Sequence, residues 1–275
     1  MPDKFVIPNP QCGPFVLGPD SQRQSGVPQG TVTKAEWRSA IFPGTIRDYW
    51  VYVPAQYTAD QPACVTFFQD GDYFVGEDGK YRAPIVMDNL IHQGRMPVTI
   101  GILISSGKFP AATGKTDPIC NRFFEYTMLS DQYARFLVDE ILPEVGAKYR
   151  LTDKPSERAL CGSSAGGICS WTAAWERPDQ FSKVISFIGA FTDVNGGHVY
   201  PFRIRKTPPK PIRVFLQAGS TDLDVAWGNF TLANLSMAAA LNFAGYDYRL
   251  EYGDGGHELS HCGAILPEAL TWVWR

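Results

Sequence analysis

The sequence predicts an α/β protein with a mostly parallel central sheet of about eight strands and helices on both faces, a three-layer α/β/α sandwich. Three observations carry this. Ala63 to Gln69 (ACVTFFQ), Val98 to Ser105 (VTIGILIS) and Ile212 to Ala218 are continuous apolar runs, as strands buried on both faces require. Segments of helical spacing lie between such runs, so strands and helices alternate. Arg158 to Gly167 (RALCGSSAGG) reads as a short strand, a turn of small residues and the start of a helix running to about Trp175.

Residues 1–30, rich in Pro, Gly, Gln and Ser without a clear period, read as an extended arm with Phe5, Val6, Phe15 and Val16 as anchors. Residues 31–275 read as one domain, with neither an internal repeat nor a linker. Val32 to Phe42 and Ile46 to Val53 flank the turn dipeptide Pro43-Gly44, so a hairpin opens the domain. Arg82 to Gln93 has helical spacing through Ile85, Leu90 and Ile91, which gives strand, helix, strand. Gly107 to Met128 is a long loop ending in the aromatic cluster Asn121-Arg-Phe-Phe-Glu-Tyr126. Ser130 caps a helix through Tyr133, Phe136, Leu137, Ile141 and Val145, which Pro143 bends or breaks. Lys183 to Ile188 is a strand, and Ala190 to Lys210 a Gly/Pro-rich excursion. Asn229 to Ala244 is a helix with Leu232, Leu235, Ala239 and Phe243 on one face. Tyr248 to Tyr252 is the last strand, and Pro267 opens the closing helix.

Composition bounds the function. The chain has 275 residues, 44% hydrophobic and 19% charged, which suits one globular domain with a substantial core. A net charge of −3 without a basic block argues against nucleic acid or an anionic membrane as partner. No apolar stretch approaches the roughly 20 residues needed to span a bilayer. The amino terminus lacks a basic-then-apolar leader, and the six scattered cysteines read as buried thiols. Both point to the cytoplasm, or to export if a leader has been removed. A homodimer is an open alternative to a monomer.

The chemistry concentrates at Gly162-Ser-Ser-Ala-Gly166, which satisfies G-x-S-x-G, the nucleophile elbow of the α/β-hydrolase fold. A serine on a sharp strand-to-helix turn needs small residues two before and two after it. Ser164 meets that condition, whereas Cys161 and Ala165 would flank Ser163. A phosphate-cradling loop is the competing reading, but no Gly-Lys-Ser/Thr follows. In this fold the order is Ser, acid, His, with the histidine after the last strand. Of four histidines, His92 lies upstream and His198 precedes the expected acid. His257, carried by Gly253-Asp-Gly-Gly256, remains as the base. Asp222 and Asp224 both follow the preceding strand; Asp222 is nearer and is the expected acid, with Asp224 as a helix cap or the alternative acid. The oxyanion donors are the N–H of Ala165 and one from the loop Gln69-Asp-Gly-Asp-Tyr73, expected at Asp72, with Gly71 letting the backbone approach the substrate. Tyr73, Phe124, Tyr126 and Trp227 are candidate substrate contacts at the rim, with core packing as the other reading of each.

His257-Glu-Leu-Ser-His261 also matches H-E-x-x-H, the zinc protease pattern. Zinc would need both histidines on one helical face and a third ligand further on. Gly255-Gly256 and Cys262-Gly263 suit a loop better, and Glu268 is the sole carboxylate downstream. No metal or other cofactor is expected.

FPGTIRDYWVYVPAQY, FFQDGDYF, NRFFEYTMLSDQYARFLVDEILPEV, CGSSAGG, PKPIRVFLQAGSTDLD, NFAGYDYRLEYGDGGHE and ILPEALTWVWR together resemble the putative-esterase family. That family includes enterochelin esterases, feruloyl and acetylxylan esterases, and S-formylglutathione hydrolase; the enterochelin-esterase-like branch is nearest. The resemblance runs from about Phe42 to Arg275. By motif it implies Ser164 as nucleophile, His257 as base, Asp222 as acid and the QDG loop as oxyanion donor. It implies a serine carboxylic-ester hydrolase acting on a small-molecule or carbohydrate ester, such as a feruloyl or acetyl ester. The alternatives are a catecholate siderophore lactone as substrate, and acyl transfer to an alcohol by the same residues. Full enterochelin esterases carry a separate amino-terminal domain, whose place is taken here by the arm.

Overall fold

A computed structural model describes residues 4–111 and 118–275. The first hairpin pairs β1 (Thr31–Arg38) with β2 (Ile46–Val53) antiparallel, and Gly44 at its bend has φ 83°. Next come β3 (Cys64–Gln69), α1 (Gly71–Val75), α2 (Ala83–His92) and β4 (Thr99–Ile104). The expected loop after β4 contains the two-residue strands β5 (Lys108–Phe109) and β6 (Ile119–Cys120) and the helix α3 (Arg122–Thr127); residues 112–117 of that expectation lie outside the described residues.

A helical run then takes in α4 (Gln132–Arg135), a π-helical stretch Phe136–Ile141 and α5 (Leu142–Gly146). Pro143 does not break it: the wider turns lie ahead of the residue that lacks a hydrogen-bonding N–H. Its first turn follows Asp131, with Ser130 Oγ accepting from Gln132 N at 3.4 Å. There follow β7 (Arg158–Ser163), α6 (Ala165–Glu176), β8 (Lys183–Phe187), α7 (Tyr200–Lys206), β9 (Arg213–Gly219), the small hairpin of β10 (Asp224–Val225) and β11 (Gly228–Asn229), α8 (Phe230–Ala244), β12 (Tyr248–Gly253) and α9 (Leu259–Trp274).

Among the described residues the main sheet has ten strands in the order β12-β9-β8-β7-β3-β4-β2-β5-β6, with β1 beside β2. From β12 to β4 every neighbour is parallel, while β2 is antiparallel to β4 and β1 to β2. Two apolar layers sandwich the sheet. One holds Phe67, Leu160, Trp171, Val184 and Leu216; the other holds Phe68, Val86, Leu103, Phe215 and Leu270. The carboxyl ends of the parallel strands therefore share one edge, where open α/β sheets place their ligands.

Several local expectations change. Pro267 sits inside α9, whose Cys262, Leu266, Ala269, Leu270 and Val273 are buried on both sides of it. That burial offsets the roughly 3 kcal/mol an internal proline costs. Cys262-Gly263 is accordingly helical and not loop. Of the face expected in α8, Leu235 is buried but Leu232 and Phe243 are exposed, and Phe230, Asn234, Met237, Ala238 and Leu241 face in. Asn234 is tolerated there because its amide nitrogen donates to Gly189 O and Phe230 O. Cys161, Cys169 and Cys262 are buried, whereas Cys12 and Cys120 are exposed. Of the arm's expected anchors, Phe5 packs against the core and Phe15 stacks on His261, but Val6 and Val16 are exposed.

Candidate active site

Ser164 stands between β7 and α6 with φ 56° and ψ −118°, a strained conformation for a residue with a side chain. Its backbone is pinned there: Ser164 N donates to Phe187 O, and Ser164 O accepts from Gly167 N and Ala190 N. The flanking glycines have a steric cause. A Cβ on Gly162 would run into the Gly166 backbone, and one on Gly166 would come within 3.2 Å of Asp70 Oδ2 and Gln69 Cβ. Small residues are needed here so that β7, α6 and the loop after β3 can meet.

His257 Nε2 lies 2.9 Å from Ser164 Oγ, and His257 Nδ1 lies 2.6 Å from Asp222 Oδ1. Asp222 leaves the end of β9 with its side chain buried, and Leu223 N donates to the same Oδ1 at 2.7 Å. Phe230 packs edge-on to the imidazole with ring centroids 5.0 Å apart. Ser164, His257 and Asp222 thus stand in one hydrogen-bonded series, brought together from the ends of β7, β12 and β9. Asp224, the alternative acid, is exposed in β10. It does not cap α8 either, because Asn229 Oδ1 accepts from Leu232 N at 2.9 Å.

Two helices begin close to the elbow, with Asp70, ahead of α1, lying against Gly166 of α6. Ala165 opens α6 and Gly71 opens α1, and the first N–H groups of a helix have no partner within it. Gly71 serves a different purpose from the one expected: a Cβ there would collide with the Leu103–Ile104 backbone, so its small size seats α1 on β4. Asp72 is exposed, with Ser105 Oγ donating to its Oδ1 at 3.1 Å.

Asp70, in the left-handed region at φ 58°, turns the chain from β3 into α1. Arg122 holds it bidentately, Nε to Oδ1 and the terminal nitrogen to Oδ2, both at 2.7 Å. Burial pushes the Asp70 carboxyl above the ordinary carboxylate range even with this guanidinium on it. Burial also acts to lower the Arg122 value, but the bonds to Asp70 outweigh it and the guanidinium is held more firmly protonated.

Of the two readings open for Tyr126, rim or core, the structure has the core. Its hydroxyl accepts from Asp70 N at 3.1 Å and faces Ile104 O at 3.4 Å. Tyr133 OH donates to Gln69 Oε1, so the loop's first residue is fixed as well. Phe123 is half exposed and lies 5.8 Å, centroid to centroid, from the exposed Trp227 at the tip of the β10–β11 hairpin. Tyr73 and Phe124 are exposed too. Arg122 and Phe123 were missed by sequence reasoning, although Arg122 and Tyr126 stand four apart, on one face of α3.

His261 lies in α9, buried and stacked flat on Phe15, with Gln217 Nε2 3.1 Å from its Nδ1. His257 is outside the helix and engaged by Asp222 and Ser164, so the two histidines do not share a helical face as the zinc pattern needs.

Residues 43–273 match the family described as Putative esterase. The chain belongs to that family. Among relatives of this esterase family, the iron(III) enterobactin esterase of Escherichia coli is 21% identical over 257 residues, 90% of this chain and 59% of that protein. The uncharacterized protein YbbA of Bacillus subtilis is 25% identical over 186 residues, 64% of this chain and 69% of the relative. Among solved structures, the enterobactin esterase of Shigella flexneri has a TM-score of 0.69 at 19% identity, covering 90% of this chain and 60% of that one. A ferulic acid esterase from the anaerobic fungus Anaeromyces mucronatus has a TM-score of 0.69 at 21% identity, covering 92% and 93%. The chain therefore spans about three fifths of the enterobactin esterases it matches. At these identities the structural likeness establishes the shared α/β fold. No helix among the described residues is long and apolar enough to cross a membrane.

Proposed function

We propose that this esterase-family protein is a serine carboxylic-ester hydrolase. The observation that carries the reading is the series Ser164 Oγ–His257 Nε2 at 2.9 Å and His257 Nδ1–Asp222 Oδ1 at 2.6 Å, with Ser164 at a strained φ of 56°. Ser164 Oγ attacks the ester carbonyl carbon while His257 Nε2 takes its proton. Asp222 fixes the imidazole tautomer and stabilises the imidazolium. The carbonyl electron pair moves onto oxygen, facing the N–H groups of Ala165 and of Asp72 or Gly71. Collapse breaks the bond to the alcohol, which leaves with the proton from His257. Water then repeats the sequence on the acyl-enzyme, freeing the acid and returning the proton to Ser164.

Tyr73, Phe123, Phe124 and Trp227 are exposed rings. We read them as the surface that stacks on an aromatic acyl group, with a feruloyl or acetyl ester as the leading substrate and a catecholate siderophore lactone as the alternative. Hydrolysis of a feruloylated and an acetylated xylan fragment beside a catecholate lactone, with Ser164→Ala as control, tests this. Loss of all release in S164A is expected, and activity that survives it would overturn the mechanism.

A further inference from the structure

We propose that the amino-terminal arm is a positioning element for His257, acting through Phe15 and Asp254 on the loop that carries it. The inference rests on the reading of His257 as the base. Three of the four residues before His257 are glycines, so the loop has little conformational preference of its own. Its geometry must come from its neighbours. One flank is held by the segment that leads to Asp222: Ser220 N donates to Gly253 O at 2.8 Å, Thr221 N to Gly255 O at 3.2 Å and Thr221 Oγ1 to Asp254 O at 3.0 Å.

The other flank is held by the arm. Gln11 pairs parallel with Gly253, donating from N to Tyr252 O at 2.8 Å and accepting from Asp254 N at 2.9 Å. Gln11 Nε2 adds a bond to Glu251 Oε2 at 2.9 Å, and Gly13 N donates to Asp254 Oδ1 at 3.0 Å. Phe15 then lies flat on His261, ring centroids 3.8 Å apart and planes within 9°. Its edge abuts the loop, since a Cβ on Gly253 would sit 2.8 Å from Phe15 Cζ. The ring is thus wedged between the residues four before and four after His257. These contacts fall on β12, the loop and α9, so their effect on the reaction passes through the histidine. Phe15 is a positioning residue in this sense, and freeing the loop lets His257 Nε2 wander from the 2.9 Å position that proton transfer from Ser164 requires.

The test is steady-state kinetics on a methyl ester with Phe15→Ala, Phe15→Tyr, Asp254→Ala and Asp254→Asn. We expect F15A to lower kcat by between about 10- and 100-fold with KM unchanged. D254A, a surface change that leaves the fold intact, is expected to lower kcat several-fold. D254N keeps the acceptor and should recover wild-type kcat, whereas F15Y adds its hydroxyl at the Cζ that abuts Gly253 and should not restore it fully. The low-field proton resonance of the His257–Asp222 bond should broaden in F15A and D254A and sharpen again in D254N. If F15A and D254A melt earlier yet turn over at the wild-type rate, the arm only stabilises the fold and the proposal fails. Loss of the underlying reading looks different: the wild type would then hydrolyse no ester, or His257→Ala would leave hydrolysis intact.

Discussion

Arg122 and Asp70 form a two-pronged ion pair directly behind the start of α1, joining the helix that bears the exposed Phe123 to the loop that bears the proposed oxyanion donors. Asp70 Oδ2 is also the atom nearest to where a Gly166 side chain would begin. The pair therefore lies against the first turn of α6 as well as the start of α1. The base of α3 is anchored in turn by Glu125, which accepts from Arg47, Gly107 N and Asn121. Arg47 and Glu125 are both fully buried, and their charges are matched within this one network.

Replacing Arg122 with Ala leaves the buried Asp70 without its cation. Arg122 is itself about a third exposed, so the expected loss of stability is smaller than for a fully buried pair, about 1–3 kcal/mol. Loss of the clamp should lower kcat more than it changes KM, because the oxyanion donors and not the rim are displaced. The deficit should also depend on pH. Without the guanidinium the Asp70 carboxyl rises further, so the folded variant binds a proton that the unfolded chain releases. Its stability relative to wild type should therefore recover as pH falls from 7 toward 5, which denaturant melts across that range would show. A constant deficit would contradict the role given to Asp70.

Asp222 offers a sharper distinction than the usual loss of function. Both the His257 Nδ1 contact and the Leu223 N–H fall on its Oδ1, and the buried Oδ2 has no protein partner. An asparagine can place its oxygen where Oδ1 stands and keep both contacts, losing the charge alone. Asp222→Ala loses the tautomer control as well. We expect about a 10⁴-fold fall in kcat for D222A and a smaller one for D222N, whose oxygen keeps both contacts. Equal losses in the two variants would mean that the asparagine amide turns its nitrogen to the imidazole.

The site was legible where local sterics dictate it and obscure where helix phase or distant pairing does. Gly162 and Gly166 are fixed by the crowding around Ser164, so the elbow stands in the sequence itself. The chain order of nucleophile, acid and base then leads to His257. Asp222 and Asp224 are two residues apart, and only the turn after β9, which buries Asp222 and leaves Asp224 exposed, decides between them. Read as loop, residues 121–126 have no phase, so rim and core stayed open for Tyr126 and Phe123 was passed over; as helix, the same residues turn Tyr126 inward and Phe123 outward. Arg47 and Glu125 are 78 residues apart, and no local pattern announces their pairing. The proline in α9 misled for a related reason, since its cost is offset by burial against elements that only the fold brings near.

The rim aromatics divide into residues that face solvent and one that does not, and kinetics should separate them. Trp227→Ala removes the partner of Phe123 in the proposed stacking surface. Its KM should rise about 5- to 20-fold for a feruloyl ester, equivalent to about 1–2 kcal/mol of stacking, with an acetyl ester unaffected. Tyr126→Phe instead deprives Asp70 N of its acceptor. It should lower kcat alike on both esters with KM little changed. A selective rise in KM for the feruloyl ester in Y126F would put that residue back at the rim.

His261 supplies a pH dependence of stability that is separate from catalysis. Burial lowers its imidazole value below the ordinary 6.5, with Asp254 and Glu258 only partly opposing the shift. Its Nε2 is buried without a protein partner, its Nδ1 faces Gln217 Nε2, and its ring is covered by Phe15. The folded protein thus holds this histidine neutral at pH values where the unfolded chain has begun to protonate it. Above 6.5 the contribution to stability is complete; as pH falls from there through the lowered folded value, it is lost. His261→Phe keeps an aromatic ring against Phe15 and removes the titration. Its unfolding free energy should therefore fall less steeply than that of wild type between pH 6.5 and 5, even if it is lower overall because Gln217 loses a partner. Denaturant melts at closely spaced pH values measure the slope, and parallel curves for the two proteins would assign the acid sensitivity to other groups.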